Sequence, residues 1–209
     1  MKAKRATRQR LWPHATDENI GLTPRTPHSS TSIWPPPHRP PNIVTDRERA
    51  GVFRLGSSHI GMMESGVSIV AASRDTQNRP ILGRALACRV AGDGRRVTIL
   101  LSRAKYPLLL DALRRSGTIA VSFTEPSTDR SIQVKGAEVE LEPAGDADGA
   151  RIATYFCLFT ADLQRIHVKA ELAHAALGCV PADLVAVSFT PDVAFVQTPG
   201  AQAGSPIPA

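Results

Sequence analysis

Residues 130–141 read RSIQVKGAEVEL, and the alternation of apolar and polar side chains through them decides the fold. Ile132 and Val134 share one face of an extended chain, whereas Ala137, Val139 and Leu141 fall in the opposite phase. The phase slips at Gly136. A glycine at such a slip is the mark of a β-bulge, which bends a strand and re-aims the residues beside it. The polar members, Arg130, Gln133 and Lys135, either face water or face a ligand.

The flanking sequence has the same short-strand texture. Gly66–Ala72 predicts a first strand, closed by the polar cluster Ser73–Asn78. Pro80–Val90 predicts a second, Ala91-Gly92-Asp93-Gly94 a hairpin turn, and Arg96–Leu101 a third. Ser102–Pro107 then opens a helix: serine caps, proline suits the first turn, and Leu109, Leu110 and Leu113 follow at helical spacing until Gly117. Thr118–Phe123 is a fourth strand, Glu125–Asp129 a turn, and the stretch quoted above the fifth strand.

Further on, Ile152, Tyr155, Phe156 and Phe159 recur at i, i+3, i+4 and i+7, the buried face of a helix. A second helix is expected from about Asp162 to Leu177, and two last strands, Leu184–Phe189 and Val193–Gln197, around a break at Pro191. Consecutive strands with few crossover helices predict a mainly β fold, an antiparallel barrel with peripheral helices, not a doubly wound parallel sheet.

Charge is unevenly placed in this chain of 209 residues with net charge +6. Residues 1–50 hold 9 Lys+Arg against 4 Asp+Glu, leaving 16 against 15 for the rest. The body is nearly neutral, so its charge does not predict a nucleic-acid surface. Residues 1–50, with the run Pro35-Pro36-Pro37-His38-Arg39-Pro40-Pro41, read as a disordered Pro/Arg-rich extension. Residues 51–204 form the expected domain and 205–209 a C-terminal tail. A nucleic-acid arm is the alternative for the extension, but it lacks interleaved aromatics.

Cys88, Cys157 and Cys179 are odd in number and widely spaced, which favours neither a disulfide framework nor a zinc site and suits a reducing cytoplasmic setting. No apolar run has the length of a membrane span, and the N-terminus lacks the apolar core of a secretory signal. The sequence contains no GxGxxG, GxxxxGK[ST], GxSxG or HExxH. His167 and His174, seven apart on an expected helix, are two turns from each other and too distant for joint metal ligation. No metal site and no catalytic residue is assigned. What remains is a set of cations with two neutral polar residues among them: Arg84 and Arg89 on the second strand, Ser102, Arg103 and Lys105 at the expected helix start, and Arg130, Gln133 and Lys135 on the fifth strand. A helix N-terminus with Ser and two cations suits a phosphate; a solvated polar face is the alternative.

The ordered runs GVSIVAASRDTQNRPILGRALACRV (66–90), LLSRAKYPLLLDALRRSGTIAVSF (100–123), RSIQVKG (130–136) and FVQTPGAQAG (195–204) together resemble the pyridoxamine 5'-phosphate oxidase-like family of FMN-binding split barrels. The resemblance implies an FMN-binding split β-barrel. In that family an Arg with a Lys five residues on lines the flavin site, and Arg84 with Arg89 matches this spacing, Arg replacing Lys. A following Ser-Arg-Lys helps hold the phosphate, and Ser102-Arg103-Ala104-Lys105 is similar with one residue inserted. Gln133 matches a glutamine that contacts the flavin, with Arg130 and Lys135 as neighbours.

The family's vitamin B6 oxidases end in an Arg and His that clamp substrate, whereas this chain ends AGSPIPA, which disfavours that reaction. The resemblance further implies a homodimer with FMN between the subunits. The expected function is that of a flavin-dependent oxidoreductase acting on an unknown small substrate. The alternative is a non-enzymatic binder or sensor of FMN, haem or another anionic cofactor.

Overall fold

A computed structural model describes residues 53–178 and 183–208. The expected extension, residues 1–50, and Cys179 lie outside them. The elements in order are α1 (Ser57–Glu64), β1 (Ser68–Arg74), β2 (Pro80–Ala85), β3 (Cys88–Val90), β4 (Val97–Ser102), α2 (Pro107–Ser116), β5 (Thr118–Thr124), β6 (Ser131–Pro143), α3 (Asp146–Arg165), α4 (Ala170–Leu177), β7 (Leu184–Val196) and β8 (Pro206–Ile207).

Every strand pairing is antiparallel, in the order β2-β1-β5-β6-β7-β4-β3, with β8 added to β7. The two ends of this order, β2 and β3, are one stretch of chain joined by Leu86 and Ala87. Leu86 N donates to Leu100 O at 2.9 Å and Leu100 N to Ala87 O at 3.1 Å, so the stretch leaves β1 and docks on β4. A sheet whose ends meet in this way is curled on itself into an antiparallel split barrel. The expected single strand Pro80–Val90 is therefore two strands meeting at a corner.

Alternation supplies the core. Ile69 and Ala71 of β1, Ala85 of β2, Val121 and Phe123 of β5, Ile132 and Val134 of β6, and Val187 and Phe189 of β7 point inward and are buried. Full burial of a side chain such as Phe123 or Phe189 contributes about 1.5–3 kcal/mol. Helix α2 lies on the inner side of β1 and β2: Ser73 Oγ meets Ser116 Oγ at 2.9 Å, and a Cβ on Gly83 would come within 2.8 Å of Leu109. Gly117, left-handed at φ +63°, ends this helix as expected.

The bend in β6 is where the sequence placed it. Pairing with β7 shifts register between Lys135 and Gly136 and again between Ala137 and Glu140. Pro191 pairs opposite Gly136 at the first shift. A proline lacks the N–H a regular ladder needs, but a bulge tolerates it. The two expected final strands are thus one continuous bent strand, β7. The sheet also continues past Gly204, since Pro206 and Ile207 pair with Phe195 and Ala194.

The helices differ from expectation in three ways. α1 was not foreseen, because SSHIGMME has little helical periodicity; Met62 and Met63 nonetheless bury against the core. Asp162–Arg165 belong to α3, where the buried Asp162 carboxylate accepts from Ser127 N at 3.0 Å, and the chain turns at His167 with φ +61°. His167 therefore lies in the turn between α3 and α4, and His174 on α4. Finally, α2 begins at Pro107 with Tyr106 as its N-cap, so Ser102 ends β4 and does not cap the helix.

Candidate functional site

The outward-facing residues of five neighbouring strands form cross-strand rows. Arg84 pairs with Val70, Val70 with Ser122, Ser122 with Gln133, and Gln133 with Phe195. The next row on the same face runs Leu82, Ala72, Ala120, Lys135, Val193. Arg84, which the sequence placed on the second strand, is thereby brought to one face with Gln133 and Lys135 of the fifth.

Arg84 Nη1 donates to Ser68 Oγ at 2.9 Å, which fixes the guanidinium along the sheet. Gln133 Nε2 approaches Ser122 Oγ at 3.4 Å, a long contact that leaves most of the amide's bonding capacity open. Lys135 Nζ stands 5.0 Å from the centroid of the Phe195 ring, close enough for a cation–π attraction. Phe195 has no counterpart among the expected site residues; its alternation with buried Ala194 is the only sequence signal that it faces outward.

Arg84 also lines a small depression with Leu86, Ser102, Lys105 and Tyr106. It encloses no space for even a water-sized molecule, whereas sites for small molecules usually need ~300–1,000 Å³. What it does bring together is two cations, Arg84 and the exposed Lys105, on adjoining stretches of chain, a pairing that favours an anion at its rim.

The Ser102–Lys105 turn has a different character from the cradle the sequence suggests. Ser102, 2% exposed, donates its hydroxyl to the Asp183 carboxylate. Ala104 N donates to the same carboxylate at 2.9 Å, Arg103 N to the Asp183 carbonyl at 2.8 Å, and Lys105 N to Ser102 Oγ at 3.2 Å. The Arg103 side chain lines a separate groove with Leu110, Arg114 and Leu141.

Arg89 sits on β3, past the corner from Arg84. It is 46% exposed and pairs with Asp148 of α3 at 3.5 Å, so it pins a helix. Arg130 is exposed beside the Glu125–Asp129 turn, where its N–H donates to Thr128 Oγ1 at 3.2 Å.

Behind Arg84, the Tyr155 hydroxyl is buried and has no hydrogen-bond partner among the described residues. Burial pushes its acidity well below that of an ordinary phenol, opposed by the nearby Arg84 charge. Burial likewise pushes the Cys88 thiol up, with the Glu64 carboxylate adding to the effect. Among the described residues, no group of three or more His, Cys, Asp or Glu side chains could hold a metal ion, and no helix is long and apolar enough to cross a membrane.

No protein-family model matches the sequence, and no curated protein matches it. Solved structures do show likeness. HupZ of Group A Streptococcus is 13% identical over 72% of this chain and 100% of its own, with TM-score 0.44. A structure described as a putative pyridoxamine 5'-phosphate oxidase from Lactobacillus delbrueckii is 11% identical over 68% and 93%, with TM-score 0.43. A pyridoxamine 5'-phosphate oxidase-related, FMN-binding protein from Nostoc punctiforme is 16% identical over 69% and 83%, with TM-score 0.38. At these values the fold assignment stands on the chain's own strand order and register. By that order the chain is an antiparallel split barrel, the fold that the resemblance in its sequence implied.

Proposed function

We propose that the chain binds FMN against the outer face of β2, β1, β5, β6 and β7, between two copies of itself, and serves as a flavin-dependent oxidoreductase for a small substrate. The observation that carries this reading is the row joining Arg84 to Gln133 through Val70 and Ser122, with Lys135 one pair along. Its donor set fits the cofactor. A guanidinium, a primary amide and an ammonium on one face supply hydrogen bonds to ring oxygens and nitrogens and offset negative charge.

Bound FMN would supply hydride or electron transfer. The chain's own part is binding and orientation. Gln133, loosely held by Ser122, has an amide free to bond the ring system. Lys135 is kept at the face by Phe195, and Arg84 is aimed by Ser68. Lys105 shares the depression with Arg84 and is the cation placed to meet a phosphate there. The depression is too small to enclose the cofactor, and a second copy laid over the half-buried Val70, Ala72, Ala120 and Val193 would supply the missing wall. Leu82, 59% exposed on this face, gives that contact an apolar anchor.

The row itself contains no imidazole or carboxylate, and this favours, as a second reading, a flavin binder or electron carrier without acid–base catalysis. The absorption spectrum of the purified protein, with the mass of any released cofactor, tests both. Oxidised-flavin bands support the proposal and a Soret band supports a haem binder. A colourless protein that FMN cannot reconstitute overturns the reading. Reduction of bound flavin by an electron donor and its reoxidation by substrate separate the enzyme from the carrier.

A further inference from the structure

The most constrained polar group near the candidate site is Asp183, at the start of β7. It accepts from the Ser102 hydroxyl and from the Arg103 and Ala104 amides although it lies 81 residues from Ser102 in sequence. Its carboxylate accepts from the Ser102 hydroxyl and from Ala104 N at 2.9 and 3.2 Å, and its carbonyl accepts from Arg103 N at 2.8 Å. Lys105 N is taken by Ser102 Oγ at 3.2 Å and Tyr106 N by Ser102 O at 3.1 Å. Every N–H from Arg103 to Tyr106 thus already has a partner. The turn has the form of an anion seat, and the chain's own carboxylate occupies it.

We infer that Asp183 is a specificity-determining residue: a resident anion that excludes phosphate from the Ser102–Lys105 turn, so that a phosphorylated ligand either displaces it or gains nothing from the turn's amides. This rests on the proposed flavin having its phosphate end beside Arg84 and Lys105. Two like charges sharing one set of donors repel at close range; Ser102 is buried, but Ala104 and Lys105 are exposed, so salt weakens this repulsion without removing it. A ligand ending in a neutral hydroxyl meets no such penalty. Asp183 therefore narrows the advantage of a phosphorylated flavin over its dephosphorylated form.

The test uses the full-length ¹⁵N-labelled chain with inorganic phosphate as probe, alongside FMN and riboflavin binding. Asp183→Ala empties the seat, and Asp183→Asn keeps an acceptor while removing the charge. The Ala104 and Lys105 amide signals should shift saturably with inorganic phosphate in Asp183→Ala, less in Asp183→Asn, and not at all in the wild type. The ratio of FMN to riboflavin affinity should rise about tenfold in Asp183→Ala, the scale of removing one close like-charge contact. Riboflavin affinity should stay unchanged. Phosphate binding at these amides that is equal in wild type and variants overturns the inference. An unchanged FMN-to-riboflavin ratio does the same. If neither variant folds, the wild-type spectrum decides: a saturable phosphate shift at Ala104 sinks the idea, and its absence supports it. If the variants take phosphate but no form binds either flavin, the seat stands and the flavin proposal falls.

Discussion

Gln133 faces Ser122 across the β5–β6 ladder, with the amide nitrogen 3.4 Å from the hydroxyl oxygen. This contact is too long to engage the amide fully, and the residue is only half-buried. Replacing Gln133 by Leu keeps the volume and removes the donors. FMN affinity should fall about tenfold, the order of one hydrogen bond to a ligand. Unfolding by urea should move by no more than ~0.5 kcal/mol, since little that holds the barrel together is lost. Fluorescence titration with FMN reads the first outcome and equilibrium unfolding the second. A large stability loss with unchanged affinity would make Gln133 a sheet residue only.

Lys105 should act on the phosphate and not on the ring. It is exposed, shares a depression with Arg84, and has no acidic partner among the contacts of the turn. Lys105→Ala should weaken FMN about tenfold at low salt and less at high salt, because an exposed charge pair is screened. Riboflavin should bind it as it binds the wild type. Equal losses for both flavins would move the phosphate away from this corner.

Gly136 is required by packing. A Cβ there would lie 2.3 Å from Thr190 O and 2.5 Å from the Phe189 ring, and Phe189 is fully buried and cannot yield. Gly136→Ala should destabilise the chain by about 2–4 kcal/mol, the range of overpacking with loss of a backbone feature. The urea midpoint measures it. A change below ~0.5 kcal/mol would mean that the bulge relaxes freely.

How far these features were legible in the sequence depends on the distance over which they are set. The bulge at Gly136, the hairpin at Gly94 and the helix stop at Gly117 are local, written in alternation and turn chemistry, and they stand in the structure. The outward aim of Arg84, Gln133 and Lys135 follows from the same alternation. Their meeting does not, because it needs three successive strand registers that no local pattern encodes. The corner at Leu86–Ala87 was invisible because both residues are apolar and would suit an unbroken strand equally well. Asp183 was invisible for a related reason: an isolated Asp before a strand carries no sign that it will cap a turn 81 residues earlier. The resemblance pointed to this turn, but the carboxylate that fills it is set by this chain's tertiary structure.

Stability should fall with alkaline pH through two buried protons. The Tyr155 hydroxyl and Cys88 thiol are both held protonated by burial well above their ordinary values of about 10 and 8.5. Folded pKa values raised above the unfolded ones mean that the unfolded state releases these protons first. The stability they protect is present below the unfolded value and lost as pH rises past it, at about 1.4 kcal/mol per pH unit for each group. Unfolding free energy should therefore decline from about pH 8.5, and more steeply from about pH 10. Tyr155→Phe should remove the steeper part and leave stability at pH 7 unchanged or raised, since the hydroxyl it deletes has no partner. Urea titrations across this range test the slope; a variant as steep as the wild type above pH 10 would place the Tyr155 hydroxyl in contact with water.

The proposed assembly is open to a test that leaves every proposed flavin-contact residue unsubstituted. Ala120 pairs with Ala72 on one side and Lys135 on the other, in the middle of the outer face. Its half-buried position on a single chain leaves room for a larger side chain pointing outward, so Ala120→Glu should fold. Glu at β5 would also find the Lys135 ammonium directly across the ladder, which offsets part of its charge within the monomer. Between two copies, however, the same carboxylate would be buried in an apolar contact, at a cost of several kcal/mol. Sedimentation should therefore show a wild-type dimer and a monomeric Ala120→Glu variant. FMN affinity should fall as dimerisation is lost, because the depression beside Arg84 encloses too little of a cofactor to hold it alone. A monomeric variant that binds FMN as tightly as the wild type would show the site to be complete within one chain.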